Sequence, residues 1–139
     1  MATATYNKFQ NFPGDVGLKK IDLNTDELSI YLSNATPSAS ADVKKADLAE
    51  IAGGNGYTTG GYDTTNLYSE ASGTGTLTGT SFDIEASDGA IAQFRYLVLF
   101  DETATDDPLI AWWDYGAAVD LTDGQKLTVT IGANILTIT

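Results

Sequence analysis

Phe94-Arg95-Tyr96-Leu97-Val98-Leu99-Phe100, followed after a short polar stretch by Leu109-Ile110-Ala111-Trp112-Trp113, decides the fold. Successive side chains of an extended chain point to opposite faces. Large apolar groups at both odd and even positions therefore predict strands covered on both sides. Phe94, Tyr96, Val98, Phe100, Trp112 and Trp113 are the expected core. Adjacent tryptophans on a strand face opposite ways, so one ring is expected to fill the core and the other a second packed layer. Residues 101–108 between the two runs are polar and short, which predicts an antiparallel hairpin.

Working outward, the other apolar runs alternate. Leu28, Ile30 and Leu32 alternate with Ser29, Tyr31 and Ser33, predicting a half-buried strand. Phe82, Ile84 and Ala86 against Asp83 and Glu85 predict a strand with one solvent face. Asp123-Gly124 separates Val119/Leu121 from Leu127/Val129/Ile131 and predicts a second hairpin. After Gly132-Ala133-Asn134 the chain is expected to end in a strand over residues 135–138. Helix signals are few: a helical turn over residues 15–20, and one short helix over residues 41–51, where Val43, Leu48 and Ile51 recur near helical spacing. The five glycines of residues 53–61 exclude a regular element there and leave a loop, ordered or mobile. The expected architecture is all-β: a single-domain antiparallel β-sandwich or barrel, jelly-roll or immunoglobulin-like, spanning residues 1–139 with one short helix.

The composition narrows function by what it lacks. With no His and no Cys, the chain has neither the commonest general base and transition-metal ligand nor a thiolate or disulfide. A non-enzymatic protein without cofactor or metal is expected. Seven Lys+Arg against nineteen Asp+Glu give a formal charge of -12, which repels nucleic acid. No apolar stretch approaches the roughly 20 residues of a membrane span. The N-terminus has no basic and apolar leader, so synthesis and retention in a cytoplasm are expected.

Four patterns invite a sharper reading and do not sustain it. Asp101, Glu102, Asp106 and Asp107 offer oxygen ligands without the spacing of a calcium loop, so a solvated acidic turn is expected. Asp83 and Glu85 share a strand face as glycosidase carboxylates can, but any acidic chain supplies such pairs. Gly53, Gly54 and Gly56 lack the Gly-Lys-Ser/Thr of a phosphate loop. Trp112-Trp113-Asp114-Tyr115 resembles a sugar platform only until its alternation is considered.

Three stretches taken together carry a family resemblance: Ala46-Asp47-Leu48-Ala49-Glu50-Ile51-Ala52-Gly53-Gly54-Asn55-Gly56-Tyr57-Thr58-Thr59-Gly60-Gly61, the run at residues 94–100, and Asp107-Pro108-Leu109-Ile110-Ala111-Trp112-Trp113-Asp114-Tyr115-Gly116. With Lys8-Phe9-Gln10-Asn11-Phe12 they resemble small virion structural proteins of tailed bacteriophages over nearly the whole chain. The resemblance implies a capsid decoration, or cement, protein on the head exterior. It would bind the major capsid protein of the same phage and self-associate on the shell, as a trimer for example. The alternative it implies is a tail structural protein, either a tube, adaptor or fibre-associated subunit or, ranked last, a glycan-binding tail module. The expected contacts are an N-terminal arm, residues 2–12, carrying Tyr6, Phe9 and Phe12, and the glycine loop with Asn55, Gly56 and Tyr57, joined by Tyr62. The competing reading of residues 6–10 is a first strand of the sandwich.

Overall fold

The two runs that are apolar on both parities form the longest strands of the chain. In the computed structural model, which describes residues 3–139, the chain runs β1 (Tyr6–Lys8), α1 (Phe12–Gly17), β2 (Leu28–Ser33), β3 (Tyr62–Asp63), β4 (Leu67–Ala71), β5 (Thr74–Thr78), β6 (Phe82–Glu85), β7 (Ile91–Asp101), β8 (Leu109–Leu121), β9 (Lys126–Val129) and β10 (Leu136–Ile138). A single 3-10 turn, Lys45–Asp47, lies between β2 and β3. The fold is all-β. Every strand pair is antiparallel, and the sheets have the orders β1-β8-β7-β2-β3, β10-β5-β4 and β6-β9.

The five-stranded sheet is buried on both faces at its centre. Inward, Leu28, Ile30 and Leu32 of β2 and Leu97 and Leu99 of β7 share one core with Leu77, Ile84 and Leu136 from the two smaller sheets and with Ile135 just before β10, in the manner of a sandwich. Outward, Tyr31, Tyr96, Val98, Phe100 and Leu109 pack with Phe9 and Leu48 in a second cluster. Phe100 and Tyr31 meet edge to face at 5.4 Å, a geometry that contributes about 0.5–1.5 kcal/mol beyond area burial. Trp112 packs on the outer cluster and Trp113 on the inner one, each partly buried. All six residues of β2 are buried, where the alternation had predicted a half-buried strand. Residues 34–52 fold back over its second face, with Tyr31 Oη donating to the Leu48 carbonyl at 2.9 Å and Ser33 Oγ to that of Ala49 at 2.6 Å.

Four local expectations need correction. Residues 41–51 form only the 3-10 turn. Ser38, Asp42 and Asp47 tie down nearby backbone instead, the Asp47 carboxylate accepting the N–H groups of Val43 and Lys44 at 3.0 and 3.2 Å. Short polar side chains that bond local backbone compete with a helix. The helical turn expected at residues 15–20 begins earlier, at Phe12, because Pro13 fits the first turn, where its missing N–H goes unused. β8 does not stop at Trp113. It passes an irregularity around Gly116 (φ 96°) and resumes pairing with β7 at Val119↔Phe94 and Leu121↔Ile91. The turn at Asp123-Gly124 exists, with Gln125 N–H donating to the Thr122 carbonyl at 2.9 Å, yet β9 pairs with β6 and not with β8. Gly124 and Gln125 bond Ala86, at the end of β6, and this diverts the chain into the second layer.

Candidate binding cleft

β1 lies along the edge of the five-stranded sheet, with Tyr6 opposite Trp113 and Lys8 opposite Ala111. The rings of Tyr6 and Trp113 meet edge-on at 5.9 Å, and burial pushes the Tyr6 phenol above its ordinary pKa. Trp113 pairs in turn with Leu97, so one row of inward side chains crosses from the sheet's edge to its middle. The second layer does not close over this row. Between it and β9 an open cleft of about 470 Å³ remains, floored by Ile30 and Leu97, with Trp113 and Tyr115 on one side and Leu127, Val129 and Ile131 on the other. Of the strands that line the cleft, β9 has an unpaired edge, with β6 on one side only, and Thr3 and Ala4, just before β1, line the cleft beside Trp113 and Tyr115 of β8. Exposed strand edges offer unpaired N–H and C=O groups to an incoming chain.

Thr3, Thr128, Thr130 and Asn134 also line the cleft, and the Arg95–Asp114 ion pair lies outside it. Arg95 reaches from β7 to Asp114 on β8 and donates twice, at 2.7 and 3.1 Å, so that Arg95 titrates higher and Asp114 lower than ordinarily. The pair is solvated, so solvent screens most of its attraction. Among the described residues no group of three or more Asp or Glu side chains converges as a metal site. No helix among them is long and apolar enough to cross a membrane. The expected solvated acidic turn is only partly so: Glu102 and Asp106 are exposed, whereas Asp101 is fully buried.

The seven contact residues expected from sequence do not form one surface. Ala2 of the proposed arm lies outside the described residues. Tyr6 is half-buried in β1, Phe9 is 0% exposed with its ring 4.6 Å from Trp112, and Phe12 is buried in the inner core. Residues 6–8 are therefore a strand of the sheet, and Phe9 and Phe12 are core residues that present nothing to a partner. Tyr57 is also buried. Its hydroxyl accepts the Leu32 N–H at 3.1 Å and donates to Glu50 at 3.2 Å, and burial raises its pKa. Glu50 also accepts the Gly60 N–H at 2.6 Å, which fastens the glycine loop to the domain. Gly56, at φ 102°, sits where a side chain would run into the Glu85 carbonyl. Of the loop candidates only Asn55 and Gly56 are exposed, and the Asn55 amide is spent on the Ala90 carbonyl at 2.8 Å. Tyr62 stacks on Phe82 at 4.5 Å.

The cleft residues that sequence reasoning missed carried a readable signal. Leu127, Val129 and Ile131 were legible as one apolar strand face, but not the missing cover over them. Fold and cleft together define a class: an acidic all-β protein with an open, largely apolar cleft beside the free edge of β9. The chain matches no protein-family model, no curated protein and no solved structure.

Proposed function

We propose that the chain is a virion structural protein of a tailed phage, a decoration subunit that binds the major capsid protein and stabilises the head from outside. The observation that supports this most is the largely apolar cleft beside the unpaired edge of β9, which suits an extended segment of a neighbouring protein better than a reacting small molecule. The resemblance of residues 8–12, 46–61, 94–100 and 107–116 to small virion proteins motivates the same reading. A subunit present in many copies needs only modest affinity at each contact, because linked contacts across neighbouring capsomers multiply. The charge of -12 favours a basic rim on the partner surface and disfavours DNA. Self-association on the shell belongs to the same proposal.

Reconstitution tests it. Purified protein added to heads assembled without it is expected to saturate them and to raise their rupture temperature. Tyr115→Ser, at an exposed cleft residue, is expected to weaken head binding about tenfold or more, the cost of a lost interface tyrosine, with an unchanged melting temperature. Heads that take up no wild-type protein would overturn the proposal.

A further inference from the structure

We infer that Asn55 is a site of spontaneous deamidation, that the fold slows the reaction by gripping the Asn55 side chain, and that the product releases the glycine loop from the connection between β6 and β7. The inference is independent of the virion reading.

Among the asparagines of the chain, only Asn55 is followed by a glycine. In an Asn-Gly step the backbone nitrogen of the second residue reaches the side-chain carbonyl carbon of the first with no Cβ in the way, and glycine adopts whatever φ the ring closure requires. The reaction needs only water. The Gly56 nitrogen gives up its proton to solvent and bonds to Asn55 Cγ, the bond from Cγ to Nδ2 breaks, and that nitrogen takes a proton from solvent and leaves as ammonia. Water then opens the cyclic imide at either carbonyl, leaving an aspartyl or an isoaspartyl residue at position 55.

The fold places this step at the tip of a tight turn. Gly54 N–H donates to the Tyr57 carbonyl at 2.7 Å and Tyr57 N–H to that of Gly54 at 3.2 Å, which makes Asn55 and Gly56 the two central residues. Their φ angles, 56° and 102°, are both left-handed, the backbone that favours Asn-Gly in two-residue turns. Both residues are exposed, so water reaches them. The Asn55 side chain is nevertheless held. Its Nδ2 donates to the Ala90 carbonyl at 2.8 Å, and the amide lies against Gly89, where an added Cβ would stand 2.9 Å from Nδ2 and 3.0 Å from Cγ. The Asn55 backbone carbonyl accepts the Ser87 N–H at 2.9 Å. One residue thus ties the turn to the β6–β7 connection by side chain and backbone together, and Cγ must leave Gly89 before it meets the Gly56 nitrogen.

Conversion removes the tie for good. A carboxylate accepts hydrogen bonds and donates none, so the product turns an acceptor toward the Ala90 carbonyl where the amide supplied a donor. The isoaspartyl form also lengthens the backbone and moves the carbonyl that Ser87 bonds. The other end of the loop stays fastened, because Glu50 accepts from the Tyr57 hydroxyl and the Gly60 N–H. The change therefore frees the turn at residues 54–57 from its neighbour without unfolding the domain.

The test ages the full chain in mildly alkaline buffer, folded and in concentrated urea, and maps its peptides by mass spectrometry for the mass gain of an amide turned carboxylate. In urea, Asn55 is expected to convert ahead of every other asparagine. In the folded protein its conversion is expected to be slower by about tenfold or more, each factor of ten corresponding to about 1.4 kcal/mol of loop opening. Asn55→Asp stands in for the product. Hydrogen exchange of the Ser87 amide, which bonds the Asn55 carbonyl, is expected to quicken about tenfold or more in this variant, with exchange across β7 unchanged. Equal rates of conversion in the folded and unfolded chains overturn the inference, as does another asparagine converting first in urea. So does a Ser87 amide that exchanges in the variant as it does in wild type. Should the variant fail to fold, the same exchange measurement on aged wild type, separated by its added charge, decides.

Discussion

Phe9→Ala is expected to destabilise the protein by about 3–5 kcal/mol. The phenyl ring is 0% exposed and sits in the outer cluster with Tyr31, Leu48, Tyr96, Val98, Phe100 and Leu109, its centroid 4.6 Å from that of Trp112. The backbone cannot follow the lost ring into the gap, because Phe9 N–H is fixed to the Ile110 carbonyl at 3.1 Å and Gln10 N–H to that of Ala39 at 2.9 Å. Against a total stability of about 5–15 kcal/mol the loss is large enough to populate the unfolded state at room temperature. Urea unfolding with Trp112 and Trp113 as reporters measures it. A cost below about 1 kcal/mol, far under the range for a buried phenylalanine, would mean that residues 3–10 leave the domain as an arm.

Gly61→Val should cost about 2–6 kcal/mol, the sum of backbone strain and overpacking. Gly61 sits at φ 83°, in the left-handed region, one residue before β3, and an added Cβ would run into the Ile30 carbonyl and the Tyr31 Cα. Those are backbone atoms of the central strand β2 and cannot rotate aside. The relief available is to move β3 away from β2, which breaks the pairing of Tyr62 with Ile30 and the stack of Tyr62 on Phe82. Gly14→Ala is the control: an added methyl in α1 meets nothing within 4 Å, and the change should stay within about 1 kcal/mol, the spread of helix propensities. Equal costs for the two substitutions would contradict the packing described around β2 and β3.

Alternation made the strand faces legible. Residues 82–86 carry their burial in alternation and residues 94–100 and 109–113 in apolar groups on both parities, and Ile84, Ala86, Phe94, Val98 and Phe100 are buried, although the register shifts after Phe94 leave it on the inner cluster and Val98 and Phe100 on the outer one. Parity says nothing about partners. Leu127 and Val129 alternate in step with Phe82 and Ile84 as well as with Val119 and Leu121, so the sequence does not choose between β6 and β8; the bonds of residues 124 and 125 to Ala86 do. Nor does an early aromatic declare its fate. Phe9 reads the same on a free arm or under a sheet, and only the neighbouring Trp112 ring distinguishes them. Tyr57 lies in a glycine-rich stretch that reads as surface, yet its hydroxyl satisfies the buried Leu32 N–H.

Copy number per particle tests the central functional claim most directly. If the proposal holds, quantitative mass spectrometry of purified virions of a phage that encodes the chain, scaled to the major capsid protein, gives a ratio approaching one. A ratio corresponding to tens of copies or fewer, or recovery with isolated tails instead of heads, would contradict a decoration role and make the chain a tail subunit.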